Sequence, residues 1–413
     1  MNRSSTFLLS LCTAGSVDDG KSTLIGQLLH QTHSIPDDKW TEITQASLAK
    51  GLNFIDLSLL TDGLIIEREK NITIDVAYIY FASEKRKYIL ADTPGHLEYT
   101  RNMITGASQS QVCLIMIDAK KGLQEQTKRH LYIACLLGLQ EVIFCVNKMD
   151  LLGYEQAIFE SYLSDLQALI NSFHTKNTHF SFLPISALEG ENIAFPTQKM
   201  PWYKGECLLS LLEKIEIKTA EKPMRFGAQG KIETLNFQGI TGKLLSGNLK
   251  VGDNLVFLQG NTTAKLTAIY KGEKKVAEAK AGESLVLATD SPFLPERGEI
   301  IIVESAILQG KTAFSATLCW LDEVEGETGK KYILQQGTFE IFVFIEKIKE
   351  KMNFLSMQYE AANSLKMNDI AAVFIRTETA IFIENFAENA AMGRFILIDC
   401  ETNRTVALGL KNT

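Results

Sequence analysis

Gly15-Ser16-Val17-Asp18-Asp19-Gly20-Lys21-Ser22 is the stretch on which the fold turns. It joins an apolar run, TFLLSLC (6–12), to an amphipathic stretch, Ser22 to Thr32, whose Leu24, Ile25, Leu28 and Leu29 form one stripe. A glycine, four residues and then Gly-Lys-Ser between a strand and a helix is the pattern of a phosphate loop. Gly15 and Gly20 let backbone N–H groups turn toward phosphates, and the helix N-terminus adds its positive end. In such a loop Lys21 reaches the β- and γ-phosphates of a nucleotide, the Ser22 hydroxyl ligates Mg2+, and Thr23 follows at the helix start. Asp18 and Asp19 stand beside a polyanion, so their side chains should point away from it or share a cation.

Working outward, KYILAD (87–92), VCLIMID (112–118), VIFCVN (142–147) and FSFLPIS (180–186) are further apolar runs separated by longer helical patterns near 97–109, 125–137 and 155–173. Such alternation predicts a parallel sheet covered by helices. EKIEIKTAEKP (213–223) reads as a linker, and Pro223 stops any helix before it. Beyond it, segments such as TGKLLSGNLKVGDNLVFLQGN (241–261) are short alternating strands broken by turn residues, a barrel pattern. FEIFVFIE (339–346), DIAAVFIRT (369–377) and RFILIDC (394–400) repeat it. The predicted architecture is an α/β phosphate-loop domain at 1–215 followed by two all-β barrel domains at 222–308 and 309–413.

Three more elements carry chemistry. Asp92-Thr-Pro-Gly95-His96 ends the strand KYILA, so Asp92 emerges at the carboxyl edge of the sheet as a carboxylate supporting Mg2+. Gly95 can offer its N–H to a γ-phosphate. His96 is then placed to orient the attacking water. Asn147-Lys148-Met149-Asp150 follows VIFCV and selects guanine, because the Asp150 carboxylate can accept both the ring N–H and the exocyclic amine. Lys148 lies along the base, Asn147 ties the loop together, and Ser186-Ala187-Leu188 supplies a backbone N–H to the guanine oxygen. The segment Glu67 to Asp75, with Thr73 at its centre, leads into the alternating strand VAYIYF (76–81). Thr73 should close over Mg2+ and the γ-phosphate, making a switch that orders with GTP. These motifs in this order predict a GTPase.

Composition limits the alternatives. The 413 residues exceed one ordinary domain, and 42 basic against 49 acidic residues give a net charge of -7, which offers no general attraction for nucleic acid. The seven cysteines form no C-x-x-C pair and several stand in apolar runs, as reduced core residues do. Arg3, the stretch Phe7 to Leu11 and Cys12 resemble a short secretion signal. Cleavage there would remove the strand that feeds Gly15, and no run reaches the roughly 18 apolar residues of a membrane span. A cytoplasmic protein with no membrane partner is expected.

With these elements in place, the chain resembles the translation-factor GTPase superfamily, whose members pair such a GTPase domain with β-barrels in the elongation-factor-Tu-like architecture. Within it, GSVDDGKSTLIGQLLH (15–30), EREKNITIDVAYIYF (67–81) and DTPGHLEYTRNMITGAS (92–108) resemble the large GTPase subunits of bacterial sulfate adenylyltransferase. Elongation factors usually carry His where Ser16 and Asp19 stand. The resemblance implies a heterodimer in which this subunit hydrolyses GTP. A smaller catalytic partner then joins ATP and sulfate into adenosine 5'-phosphosulfate and pyrophosphate. Asn71 stands where the family has Gly, and Arg225-Phe-Gly-Ala-Gln229 keeps only the outer residues of the family's R-F-P-V-Q. Some relatives add an adenylylsulfate kinase domain with a second phosphate loop, and no second loop of that kind is in the sequence. The alternative is an elongation-factor-like carrier of aminoacyl-tRNA.

His30 and His33 have a metal-like spacing without a third ligand, so they read as exposed helix polars. The basic run Lys271 to Lys280, interrupted by Glu273 and Glu278, reads as a solvated hairpin. Trp320 and the aromatic strand FEIFVF (339–344) are expected to fill the core of the last barrel.

Overall fold

The computed structural model describes residues 8–49, 51, 55–60, 75–96, 100–172, 178–217 and 221–412. The first sheet is built from β1 (Leu8–Ala14), β2 (Ala77–Ala82), β3 (Lys87–Asp92), β4 (Val112–Asp118), β5 (Glu141–Asn147) and β6 (His179–Pro184), in the spatial order β2-β3-β1-β4-β5-β6. All neighbours are parallel except β2, which runs antiparallel to β3. β4 and β5 are buried along their whole length, the near-continuous apolar pattern that a sheet covered on both faces requires. β2 alternates Tyr78 and Tyr80 outward, as an edge strand facing water does.

Helices α1 (Lys21–Gln31), α2 (Asp37–Ala49), α3 (Thr100–Ala107), α4 (Glu125–Leu136), α5 (Gln156–Ser172) and α6 (Leu208–Lys214) fill the connections. Leu24, Ile25, Leu28 and Leu29 of α1 enter one core with Leu9, Leu11, Leu114, Met116 and Ile143 of the sheet, the stripe expected from the sequence. Because β1 has β3 on one side and β4 on the other, the chain leaves it at the point where the winding reverses. Ligands of such sheets bind at that carboxyl edge.

The chain divides into two compact units, 1–218 with Phe354–Met357, and 219–353 with 358–413. The second unit holds two antiparallel barrels. In the first, Asn254–Phe257 pairs with both Thr262–Lys271 and Ile300–Val303, closing a ring with Arg225–Thr234, Phe237–Ser246 and Ser284–Thr289. In the second, Lys331–Gln336 closes a ring through Phe339–Asn353 and Arg394–Asp399, with Lys311–Trp320, Ile370–Ile381 and Thr405–Lys411 between them. Closure removes the unpaired edges that would otherwise invite association.

One expectation needs correcting. Trp320 is buried at 1 % exposure, but Phe342 is 41 % exposed. The strand period is two, so once Val343 and Ile345 face inward, Phe342 and Phe344 must face out. Lys331 lies over the Phe342 ring at 3.8 Å and Arg376 over Phe344 at 5.3 Å, so cations cover these rings in place of the core. The 271–280 hairpin is exposed along most of its length, as expected. His30 stacks on Trp40 with centroids 4.9 Å apart, and among the described residues no group of three His, Cys, Asp or Glu could hold a metal. All seven cysteines are free, and among the described residues no helix is long and apolar enough to cross a membrane.

Candidate functional site

The loop that leaves β1 folds through two left-handed residues, Asp18 at φ 67° and Gly20 at φ 95°, before α1 begins at Lys21. Gly20 has no alternative, since a Cβ there would lie 2.4 Å from Asn147 Nδ2. Asp19 does not point into water: it is 2 % exposed, and its Oδ2 accepts the Ser16 N–H at 2.6 Å. Burial pushes its carboxyl above the ordinary value, and Lys21 and the Ser16 N–H offset only part of that. Asp18 faces outward, 4.0 Å from Lys121. The two aspartates thus differ, one buried against the Ser16 N–H and one turned outward.

Lys21 is 7 % exposed and donates to the Gly15 carbonyl at 3.0 Å and the Ser16 carbonyl at 2.8 Å. Burial lowers its ammonium pKa, opposed by Asp92, Asp19 and Asp18. A cation held by carbonyl oxygens under low dielectric is a strong partner for phosphate. Gly95 packs directly on this loop, because a Cβ on it would fall 2.4 Å from Lys21 Nζ and 2.5 Å from the Gly15 carbonyl oxygen. Asp92 is fully buried, with Oδ1 accepting from Thr13 Oγ1 at 2.9 Å. His96 is exposed at the end of the same loop. Thr73 and the switch around it lie outside the described residues.

The motifs expected to read the base converge through side-chain bonds. Asn147 Nδ2 donates to the Asp19 carbonyl at 2.8 Å, while its Oδ1 accepts the Ala187 N–H at 2.8 Å. One amide therefore ties together the phosphate loop, β5 and the loop after β6. Ser186 Oγ donates to Asp150 Oδ1 at 2.6 Å and accepts the Glu189 N–H at 3.2 Å. Lys148 reaches Asp118 Oδ2 at 2.7 Å. Burial raises the Asp118 carboxyl, but the Lys148 ammonium, the Lys120 N–H and Lys121 outweigh it, and the net shift is downward. Leu188, next to Ala187 in the same loop, is 56 % exposed. Asp118 carried no signal in the sequence beyond its place at the end of VCLIMID.

The fit of a nucleotide and a divalent cation can be judged from the atoms left over. Ser16 Oγ and Asp19 Oδ1, both within the phosphate loop, are buried without a hydrogen-bond partner. Ser22 carries a hydroxyl and Asp92 a buried carboxylate, oxygen donors of the kind hard divalent ions take. The residues present fit both groups.

Fold and site together define a GTP-binding protein of the elongation factor Tu type. The family model described as Elongation factor Tu GTP binding domain matches residues 7–234, and that described as GTP-eEF1A C-terminal domain-like matches 313–411. The yeast Ski7 GTPase-like domain, bound to GDP and inorganic phosphate, superposes with a TM-score of 0.52 at 18 % identity, covering 98 % of this chain and 97 % of that one. Sulfate adenylyltransferase subunit 1 of Buchnera aphidicola is 40 % identical over 408 residues, 98 % of this chain and 86 % of the relative. The bifunctional enzyme CysN/CysC of Mycobacterium tuberculosis is 40 % identical over 417 residues, 98 % of this chain and 67 % of the relative. The chain belongs to the sulfate adenylyltransferase subunit 1 family.

Proposed function

We propose that this chain is the GTP-hydrolysing subunit of a sulfate adenylyltransferase, working in the cytoplasm beside a smaller subunit that carries the ATP and sulfate site. The observation that carries the proposal is the 40 % identity across 98 % of the chain to a subunit 1 protein, in a chain whose phosphate and base motifs fold together. Joining ATP and sulfate into adenosine 5'-phosphosulfate and pyrophosphate is uphill, and GTP hydrolysis here would drive it. Domain limits of 1–215, 222–308 and 309–413 belong to the same proposal.

Within the site, Asp150 takes the two guanine donors, Lys148 lies along the base, and the Ser186-Ala187-Leu188 segment supplies a backbone N–H to the guanine oxygen, that of Leu188, since the Ala187 N–H is given to Asn147. Gly15, Asp18, Asp19, Gly20 and Thr23 shape the loop around the phosphates, and Lys21 neutralises the charge that grows on the γ-phosphate. Gly95 offers its N–H from the facing loop, and His96 orients the water. Ser22, Asp92 and Thr73 are the residues that would hold Mg2+, which would supply neutralisation of the phosphate charge.

The test mixes the purified chain with the small subunit from the same organism and follows pyrophosphate release from ATP and sulfate, with and without GTP. Turnover that rises with GTP supports the coupling, and turnover indifferent to GTP overturns it. An aminoacyl-tRNA carrier would instead protect charged tRNA from hydrolysis when GTP is present, with no effect on pyrophosphate release.

A further inference from the structure

His130 lies on α4, far along the chain from the phosphate loop, and no motif marks it. It is 1 % exposed, and its Nδ1 accepts the N–H of Gly15 at 3.0 Å. An accepting Nδ1 carries no hydrogen, so the neutral ring holds its proton on Nε2. Burial, with the positive charges of Lys21 from α1 and Arg129 from its own helix, lowers the imidazolium pKa to about 3. A carboxylate of the loop itself, Asp19, stands beside Gly15, with Oδ2 3.2 Å from where a Gly15 Cβ would stand. The ring is thus an acceptor near neutral pH, not a proton donor or a switch.

The same glycine is held from its other side. Its carbonyl accepts from Lys21 Nζ at 3.0 Å, and Met116 of β4 leaves only 3.0 Å to a hypothetical Cβ. Imidazole and ammonium therefore hold the two peptide groups that flank the Gly15 Cα, one from α4 and one from the start of α1. Losing the acceptor would leave a buried N–H unpaired at the point where the loop departs from the sheet.

We propose that His130 is a positioning residue for the phosphate loop: its ring nitrogen fixes Gly15, so that the Gly15 and Ser16 carbonyls hold Lys21 where phosphates are read. The inference rests on residues 15–22 being the GTP site. It separates from a merely space-filling core histidine because asparagine can put an acceptor oxygen near the Nδ1 position, whereas leucine fills the space without one.

The experiment measures the dissociation constants of fluorescent GDP and GTP analogues for the full-length wild type, His130→Leu and His130→Asn. Ligand-free melting temperatures and the Gly15 amide resonance are recorded alongside. The leucine variant should bind about tenfold or more weakly, and the asparagine variant should stay within about threefold of wild type. The Gly15 amide proton should shift upfield only with leucine. Wild type and His130→Asn should share one affinity profile between about pH 5 and 8. Equal binding by the leucine variant, equal losses in both variants, or a wild-type-only loss on acidification overturns the inference. If the leucine variant does not fold, a tenfold loss in folded His130→Asn also overturns it. Wild type that binds neither nucleotide overturns the site reading, and this inference with it.

Discussion

The two ends of the site are held in different ways. At the base end, Asn147 bonds the Asp19 carbonyl and the Ala187 N–H at 2.8 Å, Ser186 bonds Asp150 at 2.6 Å, and Lys148 is paired with Asp118 at 2.7 Å. At the phosphate end, a charged amine is buried against backbone carbonyls, and a carboxylate of the same loop is buried. Asp118 and Asp19 record the contrast, the first shifted down because a lysine answers its charge, the second up because burial wins. The base end answers its charge with a lysine, whereas burial at the phosphate end pushes both the Asp19 carboxyl and the Lys21 ammonium toward their neutral forms.

The largest effect expected from breaking this contrast is at Lys21. Lys21→Ala should abolish GTP hydrolysis and weaken GTP binding by about 2–5 kcal/mol, read by calorimetry and phosphate release. Retained hydrolysis would mean that the loop is misread. Next is Asp150→Asn, which should weaken GTP by roughly 1.5–3 kcal/mol and turn preference toward xanthosine triphosphate, measured by competition binding. Unchanged GTP affinity would remove Asp150 from base recognition.

Asn147→Ala should lower unfolding stability by about 1–3 kcal/mol in denaturant titration, because the buried Ala187 N–H loses its acceptor. It should also weaken GTP, since the two ends then lose their shared tether. A variant with unaltered stability would show that the tether is not needed.

The smallest effect sharpens the contrast through pH. Asp19 has a folded pKa above its unfolded value, so its ionised form costs stability as pH rises through that window, and the cost vanishes below it. Asp19→Asn should therefore raise the ligand-free melting temperature at pH 7, with the gain closing toward about pH 4. Asp118 has a lowered folded pKa, so its contribution is present above the unfolded value near pH 4 and lost below it. Asp118→Asn should lower stability at pH 7 and converge with wild type in acid. Matching signs for the two variants would refute the contrast.

The parallel sheet, the α1 stripe and the order of the nucleotide motifs were legible because each is local: a period, a turn, a run of a few residues. Both barrels were also legible as short alternating strands, but not which aromatics their walls would enclose. FEIFVF looks like core by composition, and only the inward placement of Val343 and Ile345 sends Phe342 and Phe344 outside.

By itself, then, the sequence determined that a phosphate loop leaves a parallel strand, that the further motifs of a GTPase follow it in order, and that two β-domains come after. Those features depend on residue type at fixed spacing along one segment. Tertiary structure alone decided that Asp19 turns inward, that Asn147 joins three motifs, and that His130, 115 positions from Gly15, meets its N–H. Such contacts leave no period or spacing in the chain. They exist because packing β1, β4 and α4 together buries polar groups that must then find partners.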